Sequence, residues 1–195
     1  MKRIVSFIVV LAVAMCGMTQ VMAQKSITKE AKKVEREIKK QERLAQDAVE
    51  GQEEFNAAVQ AINNQSFVLE ANNIQPMNGH VFYVNSNTNF VSLNDGQAMV
   101  QIASNSPYPG PNGLGGITVQ GSASNIQTKQ DDKGNVYLNM NVQGVFISAT
   151  VSLMLTNGTN NATVTVDPNF SGRNLRMTGT LLPYSQSNIF QGTTY

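Results

Sequence analysis

Charge is confined to one stretch of this 195-residue chain, and that confinement limits what the rest can fold into and do. Between Lys25 and Glu54 stand eight basic and eight acidic residues. From Phe55 to Tyr195 only Lys129, Lys133, Arg173 and Arg176 face Glu70, Asp95, Asp131, Asp132 and Asp167. A charge-dense stem therefore leads into a nearly uncharged body rich in Asn, Ser, Thr, Gln and Gly. Such a body offers few groups for acid–base, metal or phosphate chemistry. With a formal net charge of +1 there is no basic face for nucleic acid, and no nucleic-acid partner is expected.

The first residues read as a secretory leader. Met1, Lys2 and Arg3 precede an apolar run from Ile4 to Met18. Val21-Met22-Ala23 then has the small residues that a signal peptidase recognises, so residues 1–23 are expected to be cleaved after Ala23. The run is too short for a good membrane span, and no span is expected in the mature chain. Lipidation at Cys16 is the rival, disfavoured because Met15 stands where a small residue belongs. Cleavage leaves 172 residues with no cysteine, an exported protein of the periplasm or cell envelope that buries its core without disulfides.

From Ile27 to Ile62, apolar or small residues recur at alternating spacings of three and four, through Val34, Ile38, Ala45, Ala48, Phe55 and Val59. That is a heptad seam. A helix over 28–62 would be about 50 Å long, against a body only about 35 to 40 Å across. Gly51 is the expected break. Residues 24–50 are read as a charged stem or linker, with self-association through the seam as one use. Residues 51–63 are read as a short helix docked on a domain that spans 51–195.

After Asn63-Asn64 the period becomes two. Strands are expected at Phe67 to Leu69, His80 to Val84, Phe90 to Leu93, Ala98 to Ile102 and Ile117 to Val119. The series continues at Asn125 to Lys129, Val136 to Val142, Phe146 to Leu155, Ala162 to Val166 and Leu175 to Leu182. Asp95-Gly96, Lys133-Gly134 and Asn157-Gly158 supply tight turns. The fold class is mainly β, an antiparallel sandwich or flattened barrel preceded by an N-terminal helix. An outer-membrane barrel is disfavoured by short strands and the absence of tryptophan. The long stretch from Ser104 to Gly116 holds three prolines and four glycines, so it is no central strand. Long ordered loops are often functional, and Pro107, Tyr108, Gly110 and Leu114 are the candidate ligand contacts. A plain connection whose tyrosine plugs the barrel end is the competing expectation.

With those residues in view, the stretch from Phe55 to Leu182 resembles the domain of unknown function 4251 family of exported Bacteroidales proteins. The likeness rests on Phe67-Val-Leu-Glu-Ala71, Asn89-Phe-Val-Ser-Leu-Asn-Asp95, the Pro107-Tyr108-x-Gly110 loop and Gly115-Gly-Ile-Thr-Val119. It continues through Lys133-Gly134, Val145 to Leu155, Asn157-Gly158 and Gly172 to Gly179. Ser106, Pro109 and Met177 depart from the family pattern, in which the loop reads Leu-Pro-Tyr-Phe-Gly and the last strand carries tyrosine. The resemblance implies an exported β-rich domain and carries no activity.

No catalytic residue is assigned. His80 is the single histidine, and no Gly-x-Ser-x-Gly elbow accompanies it. One histidine without a thiol cannot close a zinc site. Asp131-Asp132-Lys133-Gly134-Asn135 lacks the oxygen alternation of a calcium loop and reads as a hairpin turn. Four Asn-x-Ser/Thr triplets, at Asn64, Asn157, Asn161 and Asn169, are chance matches in so amide-rich a chain. Neither metal nor other cofactor is expected. What remains is a non-enzymatic binding module for a small apolar, glycan or peptide ligand. The alternative is a structural or protein-interaction domain of the envelope with no small ligand.

Overall fold

The change of period at Asn63-Asn64 is realised as one helix followed by nine strands. The computed structural model describes residues 2–104 and 108–194, with side chains from residue 32 onward. Helix α1 spans Lys2–Asn63, and the chain divides into two compact units, Met1–Ala48 and Val49–Tyr195. In the first unit every described side chain is exposed, Val34 and Ile38 of the apolar seam included. The seam's Ile27 and Ala31, like the expected leader, lie outside the described side chains. No described helix is long and apolar enough to cross a membrane.

The second unit is built on β1 (Phe67–Pro76), β2 (Phe82–Tyr83), β3 (Phe90–Asn94), β4 (Gln97–Ile102) and β5 (Ile117–Gln130). It continues with β6 (Val136–Gln143), β7 (Ser148–Leu155), β8 (Asn161–Pro168) and β9 (Leu175–Pro183). Each strand pairs antiparallel with the next in the order β2-β1-β3-β4-β5-β6-β7-β8-β9, and β1 also pairs with β9. That last pairing runs from Phe67↔Pro183 to Pro76↔Leu175, with a bulge between Ala71 and Asn73. Eight strands therefore close into a barrel, with β2 as a short extra strand on β1. Closure removes the exposed sheet edges a sandwich would keep.

Two expected strands prove to be one. Residues 117–119 and 125–129 both belong to β5, which bulges between Ser124 and Gln127 where Asn125 takes φ 51°. A bulge breaks the alternation in the sequence without ending the strand. The expected strand at 80–84 shrinks to β2; His80 precedes it, exposed, its backbone N–H donating to Asn78 Oδ1 at 3.3 Å. The β3–β4 turn is as expected for a two-residue hairpin, with Asp95 at φ 49° and Gly96 at φ 74°.

Hairpins β3–β4, β5–β6 and β7–β8 share one end of the barrel, and α1 closes that end. Phe55, Ala58, Ala61 and Ile62 are buried in the barrel core, with Val59 packed against them. The expected break at Gly51 does not occur: the helix runs through it. Glycine is needed there for space, since a Cβ would lie 2.6 Å from the Gly158 carbonyl oxygen in the β7–β8 turn. The neighbouring turns interlock. Asn157 donates from Nδ2 to the Lys133 carbonyl and from its backbone N–H to Asn135 Oδ1.

Asp131 organises the β5–β6 turn, accepting from the Lys133 and Asn135 backbone N–H groups, Asn135 Nδ2 and Tyr137 Oη. The Asn135 side-chain bond is the main reason its pKa lies below the ordinary value of 3.8, and the two backbone N–H bonds add to the effect. A carboxylate with a depressed folded pKa stabilises the fold at pH values above the unfolded pKa and loses that contribution as pH falls through the folded one.

Two outcomes are expected. Gly51→Ala lowers stability in urea titration, although alanine at a free helix position gains about 1 kcal/mol over glycine; a more stable variant would mean the helix does not approach the turn. The stability gap between the protein and Asp131→Ala is full at neutral pH and closes as pH drops below 3.8. A gap independent of pH would remove the carboxylate from the turn.

Candidate functional site

Closure gives inward side chains a fixed space, and their sizes are unequal along the barrel. Toward the helix-covered end the interior is filled by Phe67, Leu69, Leu93, Leu138, Leu155 and Leu181, each almost wholly buried. Toward the opposite end the inward set is mixed, with several small aliphatic residues standing among larger ones such as Met177 and Leu175. Val100 stands across from Val119, Ala149 follows on β7, and Val166 faces Leu175. Small side chains on a barrel of unchanged strand number cannot meet across the middle.

The space they leave is a cavity of about 800 Å³ at the open end, walled by these residues with Ile102, Ile117 and Ile147. A second lobe of about 410 Å³ lies against Ile74, Phe82, Tyr83 and Val84, and shares Pro76, Ile102 and Leu175 with the first. Exposed apolar residues crowd the loops of this end. Met77, Phe82 and Tyr83 come from the β1–β3 connection, Val145 and Phe146 from the β6–β7 turn, and Phe170 from the β8–β9 turn. The polar lining is sparse, namely Asn78, Ser148, Arg173 and Asn174. The Ser148 hydroxyl is already engaged, donating to Gln143 Oε1 and accepting from Asn169 Nδ2, both at 2.9 Å. Among the described residues Arg173 is the one charged member of the lining, with no acid or imidazole beside it there. Such a surface can desolvate an apolar ligand. It brings no general base or nucleophile pair to bear on one.

The loop singled out in the sequence stands elsewhere. Pro107 lies outside the described residues. Tyr108 is 78% exposed and does not plug the barrel end. Neither Tyr108, Gly110 nor Leu114 lines either lobe of the cavity. Gly110 (φ 59°) packs where a Cβ would sit 2.8 Å from the Gly116 nitrogen, and Leu114 reaches the C-terminal tail at Gly192. Asn112, 2% exposed, pins the loop. Its Nδ2 donates to the Ile102 carbonyl and Thr118 Oγ1, and its Oδ1 accepts from the Leu114 and Gly116 N–H groups.

A latch on the outside of the barrel completes this end. Past a 3-10 turn at Tyr184–Gln186, the tail crosses the outer face of β1, β3 and β4. Outward-facing Val68, Phe90 and Ser92 are buried in that face. Glu70 Oε1 accepts from Ser187 Oγ at 2.7 Å and from the Asn188 N–H at 3.2 Å. Gln101, fully buried, fills every bond its amide can make. Nε2 donates to the Thr88 and Phe190 carbonyls, while Oε1 accepts from Thr118 Oγ1 and the Gly192 N–H. Sequence alone does not show either glutamine or asparagine in this role. Gln101 falls at an outward position of an alternating strand, where an amide ordinarily meets water.

A family model described as "Domain of unknown function (DUF4251)" matches residues 49–181. Among solved structures, a DUF4251 family protein from Bacteroides eggerthii is 49% identical over 73% of this chain and 96% of its own, with a TM-score of 0.63. No curated protein matches.

Gln101→Leu removes a partner from the buried Thr118 hydroxyl and from three part-buried backbone groups of Thr88, Phe190 and Gly192, and is expected to cost about 1 to 3 kcal/mol. Residues 187–194 should become open to carboxypeptidase at the same time. A tail still resistant in this variant would mean that the amide does not hold it.

Proposed function

The chain belongs to the DUF4251 family, and we propose that it is a non-enzymatic binding module that takes a small apolar ligand into the open end of its barrel. The observation that carries this reading is the apolar cavity of about 800 Å³ between the small inward residues of β4, β5, β7 and β8. Eight-stranded barrels have an interior wide enough for side chains or for one small ligand. A lining with few, dispersed polar groups suits desolvation, and such pockets ordinarily span about 300 to 1,000 Å³. A glycan fits less well, because the walls offer few groups to replace its hydration. A strand-adding peptide fits less well too, since closure leaves only β2 unpaired on one side. The sparse ionisable lining supports a binder over an enzyme. The leader read at residues 1–23 supports export to the periplasm or cell envelope.

A second reading is favoured by one observation. Tyr83, Val145 and Phe170 are each at least 88% exposed around the mouth, which is the composition of a contact surface. In that reading the protein is an interaction domain of the envelope and the cavity holds nothing.

Fluorescence titration with N-phenyl-1-naphthylamine, a neutral apolar fluorophore, separates the two. The purified protein should bind it, and Ala149→Phe and Val119→Phe, which fill the cavity from different strands, should each weaken binding by about tenfold or more. Unchanged binding in both folded variants, or no binding at all, would exclude a ligand in the barrel.

A further inference from the structure

We propose that the ligand of this cavity is a single-chain amphiphile with an anionic head, its chain held in the barrel and its head group met by Arg173. The inference rests on the binding reading above and specifies its ligand class.

The lining divides sharply by chemistry. The walls contributed by the barrel strands are aliphatic, Val100, Val119, Ala149 and Val166 among them. The only charge is at the rim, in the β8–β9 turn, where Arg173 follows Gly172 and precedes Asn174 and Leu175. The body carries only four cationic residues past Phe55. Lys129 and Lys133 belong to the helix-covered end, at the far end of β5 and in the β5–β6 turn. Arg176 lies on β9 outside the lining, and Asp167 precedes Pro168 on β8 without entering the lining. Among the described residues Arg173 has no ion-pair or hydrogen-bond partner, and it is an exposed member of the lining, so its five N–H donors are open to solvent or ligand. An exposed arginine needs no protein partner. This one stands where an apolar slot opens to water, and an amphiphile bound there has to leave its head.

The chemistry of recognition follows. A carboxylate matches the planar guanidinium fork, and Asn174 supplies a further donor beside it. Each methylene drawn from water into the slot strengthens binding by about threefold to fourfold. The chain therefore dominates affinity, and the head group selects among ligands of equal length. Because the head pair is exposed, its contribution is on the order of fivefold and falls with added salt.

The test is competition against N-phenyl-1-naphthylamine by dodecanoate and by dodecanol at pH 8, for the full chain and for Arg173→Gln and Arg173→Lys. Dodecanoate should compete about fivefold better than dodecanol with the unchanged protein. Arg173→Gln should abolish that preference and leave dodecanol within about twofold, whereas Arg173→Lys retains part of it. Competition by both amphiphiles with no preference, or a preference that survives Arg173→Gln, would overturn the head-group assignment and leave the apolar site standing. A fluorophore that binds but yields to neither amphiphile would exclude this ligand class. Failure of the fluorophore itself to bind would remove the binding reading together with this one.

Discussion

Pairing of β1 with both β3 and β9 closes the sheet, and closure leaves the inward side chains a volume set by strand number and shear. How that volume is used then depends on side-chain size at each level. At the level of Phe67, Leu93 and Leu155 large residues meet across the axis, and Phe55 and Ile62 of the helix finish the packing. Around Val100, Val119 and Ala149 the inward side chains are smaller, and they line a partly open apolar cavity. The cavity is thus a consequence of side-chain size along the inward face, on walls whose described buried side-chain polar atoms all have partners.

The same closure explains the division of labour between the ends. The helix end is built from short turns that interlock through Asp131, Asn135 and Asn157, and it takes a close approach of α1 at Gly51. The open end holds the two longest connections, β1 to β3 and β4 to β5, and buried polar groups there are satisfied locally by Gln101 and Asn112. Among the described residues no buried side-chain polar atom lacks a partner. A barrel latched on its outer wall can keep an open mouth without relying on contents to hold its strands together.

Much of this was legible in the sequence. Alternation along Val136 to Val142 and Ile147 to Leu155 marks strands with one buried face, and both sit in the barrel with that face inward. The docked segment with Phe55 and Ile62 followed from the seam. Other features were hidden for definite reasons. Asn125 interrupts the alternation of β5, so one bulged strand read as two. Gly51 read as a break, because a close approach to a turn more than a hundred residues away leaves no local mark. The cavity walls are common Val, Ile and Ala, and nothing in their order along the chain marks which of them line one space. The Pro/Gly loop drew attention by composition, yet its geometry serves the latch formed with Gly192 and Thr193.

Hollow apolar space inside a closed barrel is the central claim, and xenon reports it directly because apolar cavities of this kind take up the atom without polar contacts. Crystals of the purified protein under xenon pressure should show a strong site between Val100, Val119 and Ala149. Unoccupied density there, with Met77 or Phe146 folded inward to fill the space, would contradict the account.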